Sequence, residues 1–483
     1  MALRRIASTI IGSALVLGAF IVAPSHAASA PNVTLQVWGF GNVFEPKIVM
    51  QYGMIQGNKS WTDQQNALIK AKKLKVLHPN VTLVISGGGS QPDAAYFKLS
   101  AALPGNAAPD VAAVEMAYMG QTRVKATANQ FIDLNTVGAK SIAGDYLPFR
   151  YAQGLSANGH QIGIPTDVGG LAVAYRTDLF KKAGLPTDRV KVAKLWPTWE
   201  AFIAQGKKFQ SKSSTSFIDS SGNMFQAILN QGTSKYSNPK TKTYDYVRDG
   251  SSFKSYAISN PAVKRAFQLT AAAGCTSRKN GKCSGSIGTK IPQYNTGWGA
   301  AIEKNAFATV LAPAWALDYI KQFAPKSRGK WDVAAAPGVG GNLGGSMLAI
   351  PKKADNATEA WNFIKWYLAP AQQLDTFKQY GLFPTTYKLY KQPAIKGYKD
   401  RFFNSAPLGQ IYSNSAIKLK PILAGPLDRA IDNQFGAALS RISFGNQTNS
   451  GAKFGCPKAA AQTTEAAWCQ AVSDIGRLGL AGK

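Results

Sequence analysis

The chain has 483 residues, 45% of them hydrophobic, with 11% aromatic residues and a formal net charge of +30. That length suggests two or three compact units, and that apolar content excludes a disordered chain. The basic residues are spread over 181–212, 235–265 and 388–401 with no long block and no zinc-finger or RNP pattern, so nucleic acid is a poor fit.

The amino terminus opens with Arg4 and Arg5, then an uncharged apolar run over 6–23, then SHA at 25–27 and ASA at 28–30. This order reads as a secretory signal peptide over 1–30, with an uncleaved membrane anchor as the competing reading. Loss of the two arginines would leave a net charge of +28. No cysteine follows the cleavage pattern, which argues against lipid modification. No second stretch is apolar enough to span a membrane. The excess charge fits an anionic wall or membrane, an acidic habitat, or an anionic ligand, and composition does not choose among them.

VTLQVWGF at 33–40 reads as a first strand, and 61–78 as an amphipathic helix with Ala67, Leu68, Ala71, Leu74 and Leu77 on one face. His78 would then sit at a helix end, where the dipole favours it. A strand at 81–86, a short helix at 96–103 and a strand at 109–115 follow. Strand, helix, strand, helix, strand is the pattern of a parallel sheet with crossover helices, and such sheets bind ligands beyond the carboxyl ends of their strands. Those ends carry Trp38, Asn42, Gln91, Glu115 and Tyr118.

GIPTDVGGLAVAY at 163–175 holds a buried strand, LAVAY, behind Asp167, Gly169 and Gly170. Helices are expected at 195–210, 224–231 and 261–273, then helix, strand and helix over 299–323. Trp315 stands where that strand ends and the next helix starts, which suits an exposed ring. Residues 331–352 read as strand, glycine-rich loop, strand, with GVGGNLGG at 338–345 as a turn that lets backbone approach closely. Residues 356–380 and the stretch after Pro421 are helical. Cys275 and Cys283 flank one short loop, and Cys456 and Cys469 another. Two local disulfides are the simplest of the three pairings that four cysteines allow.

Catalytic signatures are missing: no G-x-S-x-G, no H-E-x-x-H, no P-loop, and only His78 and His160 beyond the leader. No metal or cofactor is expected. A carboxylate pair, Glu115 with Asp167, keeps a glycosidase as an alternative.

Several segments together resemble the extracellular solute-binding proteins of sugar ABC importers. They are VTLQVWGF, LSAALPGNAAPDVAAVE, IPTDVGGLAVAYRTDLFKKAGLP, LWPTWEAFIAQGKKF, AFATVLAPAW, GGSMLAIPK and YGLFPTTYKLY, in that order. The resemblance implies an α/β, two-lobe periplasmic-binding-protein fold of type II. Each lobe would be a mostly parallel sheet flanked by helices, with ligand in the interlobe cleft. Lobe one would hold 31–167 and 334–372, and lobe two 168–333 and 373–483. It implies a monomeric, exported receptor, extracellular, envelope-associated or periplasmic, that closes by hinge motion on a carbohydrate and delivers it to a membrane permease. A non-sugar or anionic solute such as a polyol phosphate is the alternative ligand. The implied contacts are Asn42, Glu115, Tyr118, Asp167, Gly169, Gly170, Asn223, Met224, Trp315, Gly345 and Ser346, with Trp38 and Gln91 added from the strand ends. Trp315 would stack on the sugar's apolar face, and the two glycines would leave the ligand room.

Overall fold

Twelve strands form two main sheets and a hairpin in the computed structural model, which describes residues 32–87, 91–232, 260–275, 277–279, 282–419, 425–444 and 463–477. The signal-peptide reading over 1–30, Cys456 and the side chain of Cys283 lie outside the described residues. Cys275 and Cys469 are each disulfide-bonded.

The strands are β1 (Val33–Trp38), β2 (Met54–Gln56), β3 (Val81–Ser86), β4 (Val111–Glu115), β5 (Ile164–Pro165), β6 (Leu171–Arg176), β7 (Ser216–Ile218), β8 (Ser277–Lys279), β9 (Lys282–Ser284), β10 (Phe307–Pro313), β11 (Trp331–Ala335) and β12 (Ser346–Ala349). The first sheet has the order β2-β3-β1-β4-β12-β5, the second β11-β6-β10-β7, and β8-β9 is the hairpin. In β1 the alternation points Leu35 and Val37 into the core. There they meet Phe363 and Ile364 of helix Ala357–Tyr367. By contrast β6 and β10 are buried along their whole length, as strands covered on both faces must be.

The parallel expectation holds for β2-β3-β1-β4. The second sheet differs: β6 pairs antiparallel with both β11 and β10, and only β10-β7 is parallel. The reason is the route of the chain. It enters this sheet along β6 and leaves along β11, so two neighbouring strands that enter and leave run opposite ways. For the same reason β12, on its return, lies antiparallel to β4 and β5.

Three stretches cross between the sheets side by side. Leu343 N donates to Gly169 O at 2.8 Å, and Val168 N donates to Phe383 O at 2.8 Å. A third layer of structure is a helical bundle of Gly222–Leu229, Pro261–Ala272, Asp428–Phe444 and Thr464–Arg477. Phe225, Phe267, Phe435 and Trp468 fill its centre, with Phe435 stacked on Trp468 at 5.4 Å.

Some helices differ from their patterns, and the one expected at 195–210 starts at Trp199 behind its cap Thr198. The expected 61–78 helix is Lys59–Lys70, capped by Asn58. It stops at a lysine-rich run in which Lys72 adopts φ 54°, so His78 is not at a helix end. Instead its ring lies 4.5 Å from Tyr52. The 356–380 segment divides into Ala357–Tyr367 and Pro370–Tyr380, because Pro370 has no amide hydrogen to continue the first helix.

Candidate functional site

β4 delivers Glu115 to the first turn of helix Met116–Thr122, where its carboxylate accepts from Ala117 N at 2.6 Å. Burial pushes this carboxyl up to about 7, against the pull of the Ala117 amide and of Arg429. In front of it lies a cavity of about 190 Å³.

Four pieces of chain wall this cavity: Glu115 to Ala117, Phe149 of helix Pro148–Ala152 with its C-cap Gln153, one face of helix Gly222–Leu229, and the return crossing at 342–344. The start of helix Asp428–Phe444 closes it with Asp428, Arg429 and Asp432. Helix Gly222–Leu229 presents Asn223 and Gln226, and its C-cap is Asn230; these three- and four-residue steps put three amides on one face.

The amides are held in place. Asn223 Nδ2 donates to Gln293 Oε1 at 3.0 Å, and Gln293 Nε2 donates to Asp219 at 2.6 Å. Burial raises the Asp219 carboxyl to about 7. Gln226 Nε2 donates to Asp432 Oδ1 at 2.7 Å, and Asn230 Nδ2 to Asn342 O at 2.7 Å. Asn342 Nδ2 donates to Gly344 O at 2.9 Å, which leaves Asn342 Oδ1 buried with no hydrogen-bond donor. A buried acceptor of this kind costs stability until something donates to it.

Arg429 Nη2 donates to both oxygens of Asp93, at 2.9 and 2.8 Å, and its guanidinium lies 5.3 Å from the Tyr118 ring. Asp93 and Tyr118 belong to the elements on the first sheet, and Arg429 belongs to the bundle. On the other side of the molecule Asn42 Nδ2 donates to Asp318 Oδ2 at 3.0 Å, joining the end of β1 to helix Ala314–Phe323 of the second sheet. The two halves therefore touch at both edges.

Of the residues singled out in the sequence, Glu115 and Asn223 line the cavity together. Tyr118 is 2% exposed, stacked on Tyr96 at 4.1 Å and one layer behind Arg429. Asp167, Gly169, Gly170, Gly345 and Ser346 make the crossings instead of the cavity wall. The Asp167 carboxylate accepts from Thr166 Oγ1 at 2.6 Å and Ser346 N at 3.1 Å.

The room left at Gly169 is taken by the other crossing, since a Cβ there would stand 1.8 Å from Leu343 O. Gly170 faces Asn342 across a β-bridge. Gly345, at φ 100°, brings backbone against the buried Arg150, whose guanidinium would be 2.7 Å from a Cβ. Close backbone approach is thus what the 338–345 glycines provide.

Met224 is wholly buried in the core of the second sheet, on the opposite face of the helix from the cavity amides. Trp315 supports the cavity from behind. Its Nε1 donates to Leu343 O at 3.1 Å, and its ring packs on Tyr294 at 5.2 Å. Trp38 lies under Lys98 Nζ at 3.8 Å, beside a separate cavity of about 140 Å³. Gln91 is exposed at the start of helix Pro92–Ala102.

Sequence reasoning missed Phe149, Gln226, Asn230, Asn342 and Arg429. The i, i+3, i+7 spacing of Asn223, Gln226 and Asn230 was the available signal. Among the described residues no group of three His, Cys, Asp or Glu side chains is placed to hold a metal ion.

The family model described as bacterial extracellular solute-binding protein matches residues 70–403. The chain belongs to that family. A lactose-binding protein from Rhizobium radiobacter is 25% identical over 307 residues, which is 59% of this chain and 64% of that relative. A solved structure described as an extracellular solute-binding protein of family 1 has 28% identity and a TM-score of 0.69, covering 92% of this chain and 99% of its own. A binding protein associated with an ABC transporter of B. animalis subsp. lactis Bl-04, in complex with beta-1,6-galactobiose, has 20% identity and a TM-score of 0.64 over 93% of this chain and 98% of its own. The fold of this family member is thus the two-lobed α/β fold of solute receptors, with its cavity where the lobes meet.

Proposed function

We propose that this protein is a carbohydrate receptor that hands its ligand to an ABC-type permease. The observation that carries this reading is the cavity at the lobe crossing, with three amides on one helix face and the unpartnered Asn342 Oδ1. Amides donate and accept at once, which suits hydroxyls that do the same. Phe149 offers an apolar surface beside them. Asn223, Gln226, Asn230, Asn342 and Glu115 are the proposed ligand contacts, with Arg429 at the closing edge.

Binding without chemistry is favoured over hydrolysis. Asp167, the partner an acid–base pair would need, already bonds within the crossing. In this reading the lobes are 31–167 with 334–372, and 168–333 with 373–483, with the bound at 334 falling inside β11, before Ala334 and Ala335. The leader over 1–30 directs export. Cys275–Cys283 and Cys456–Cys469 pair locally, and the receptor acts as a monomer at the membrane surface.

A thermal-shift panel of neutral mono- and oligosaccharides tests the proposal. A ligand at a hundred times its Kd adds about 2.7 kcal/mol to the folded state, so a match raises the melting temperature. Asn342→Ala should remove that rise. A panel with no sugar hit, or release of shorter sugars in the hit sample, would overturn the reading.

A further inference from the structure

Next to the site lies a larger cavity, of about 670 Å³ against about 190 Å³. Gln226, Arg429 and Asp432 line both. Two of these shared residues are joined by the Gln226–Asp432 hydrogen bond at 2.7 Å. Small-molecule sites usually have about 300–1,000 Å³. The first cavity alone falls below that range and the second falls within it.

The lining of the second cavity suits a neutral, hydroxyl-rich chain. Ser220, Ser221, Thr289 and Ser440 contribute hydroxyls, and Gln293 and Asn433 contribute amides. Ile291, Pro292 and Leu439 give apolar contact for C–H faces. Of the charged residues in the wall, Arg429 is paired with Asp93, which leaves Lys290 against Asp432.

Helix Asp428–Phe444 forms one wall, and Gly436 stands in its middle. A helix-interior glycine is less favourable than alanine. A Cβ at Gly436 would meet nothing within 4 Å, so packing does not demand glycine here. The space beyond it is the cavity.

We propose that the two cavities are compartments of one site, and that the ligand is an oligosaccharide longer than a disaccharide. One end sits against Asn342 and Glu115, and the rest passes Gln226 and Asp432 into the larger compartment. This inference rests on the carbohydrate reading above.

Isothermal titration of the full mature chain with glucose-, galactose-, mannose- and xylose-based oligosaccharides, each from the monomer to the pentamer, tests it. In the series that binds, affinity should rise by about tenfold or more beyond the disaccharide. Gly436→Trp fills the second compartment and should erase that rise, with disaccharide affinity unchanged. Gly436→Ala should keep the rise and melt at a higher temperature. Ser440→Trp repeats the block if Gly436→Trp does not fold. Affinity independent of length, or a rise retained in the blocked variants, would overturn the two-compartment site and leave the receptor reading standing. No binding in any series would overturn both.

Discussion

Asp167 and Gly169 were the residues whose sequence context most suggested a ligand, and their environment gives them another task. The Asp167 carboxylate ties the first crossing to the second through Ser346 N at 3.1 Å, while its carbonyl accepts from the buried Arg150 Nη2 at 2.7 Å. Arg150 is wholly buried, and burial lowers its pKa while Asp167 and Glu115 raise it. Asp167→Ala should therefore lower the unfolding free energy by about 1–3 kcal/mol, the cost of leaving buried donors unpaired. Urea denaturation checks this, and a full loss of binding with unchanged stability would instead make Asp167 a ligand contact. Gly169→Ala forces Leu343 O away from 1.8 Å and should cost at least about 1–3 kcal/mol, as overpacked sites do. The motif around 167–170 was legible as special because acid, two glycines and a buried strand are an unusual sequence. Which neighbours face the two glycines was not legible, because Leu343 beside Gly169 and Ser415 beside Gly170 both lie far along the chain.

At the scale of elements, the strands and most helices could be read from apolar spacing, since burial of one face leaves a local period. The direction of strand pairing could not, because β6 and β11 meet only when the whole route of the chain is known. The same limit hid Arg429. Its helix, Asp428–Phe444, reads as an ordinary amphipathic segment, and only the packing of Phe435 on Phe225, Phe267 and Trp468 aims its first turn at the cavity. Truncating that seat by Phe435→Ala should cost about 3–5 kcal/mol, as large core deletions do. Affinity should fall too, since Arg429 and Asp432 ride on this helix. Calorimetric unfolding and titration on the same sample read both effects, and a stability loss without an affinity loss would detach the bundle from the site.

For the whole molecule, closure depends on charged groups at two edges. At one, Asp318 accepts from Asn42 across the interface, and Gln322 Nε2 of Asp318's own helix holds the same carboxylate oxygen at 2.6 Å. Burial, and then Asp318, push Glu45 up to about 7, with Lys47 acting the other way. Lys321 lies 3.6 Å from Asp318 and 3.3 Å from Asp400, and Tyr319 and Tyr380 also face this corner. A carboxyl raised on folding holds its proton more tightly when folded. Its stabilising contribution is complete below the ordinary value of 4.5 and is lost as pH climbs through about 7. The melting temperature should accordingly be higher at pH 5 than at pH 8, and Glu45→Gln should reduce that difference, with Glu115 and Asp219 carrying the rest; an equally steep profile in the variant would show that Glu45 takes no part in it. At the other edge, Asp93→Asn should loosen the Arg429 bridge and enlarge the unliganded radius of gyration in solution scattering. A partly exposed ion pair is worth about 0–1 kcal/mol, so the fold itself should survive, and an unchanged radius would show that other contacts hold the lobes together.

The place of β12 has a consequence for synthesis. It lies between β4 and β5, inside the first sheet, yet it comes from residues 346–349. Until those residues exist, β4 keeps an open edge made of Val111–Glu115, and β5 has no neighbour in the sheet. An apolar open edge invites pairing with other chains. The amino-terminal half therefore cannot finish folding while it is being made, and long-range pairing of this sort is slow. A chain stopped at residue 330 should stay protease-sensitive throughout, including its first 130 residues, and a stable fragment there would contradict this. Delayed completion suits a member of an extracellular family, which has to leave the cell that makes it.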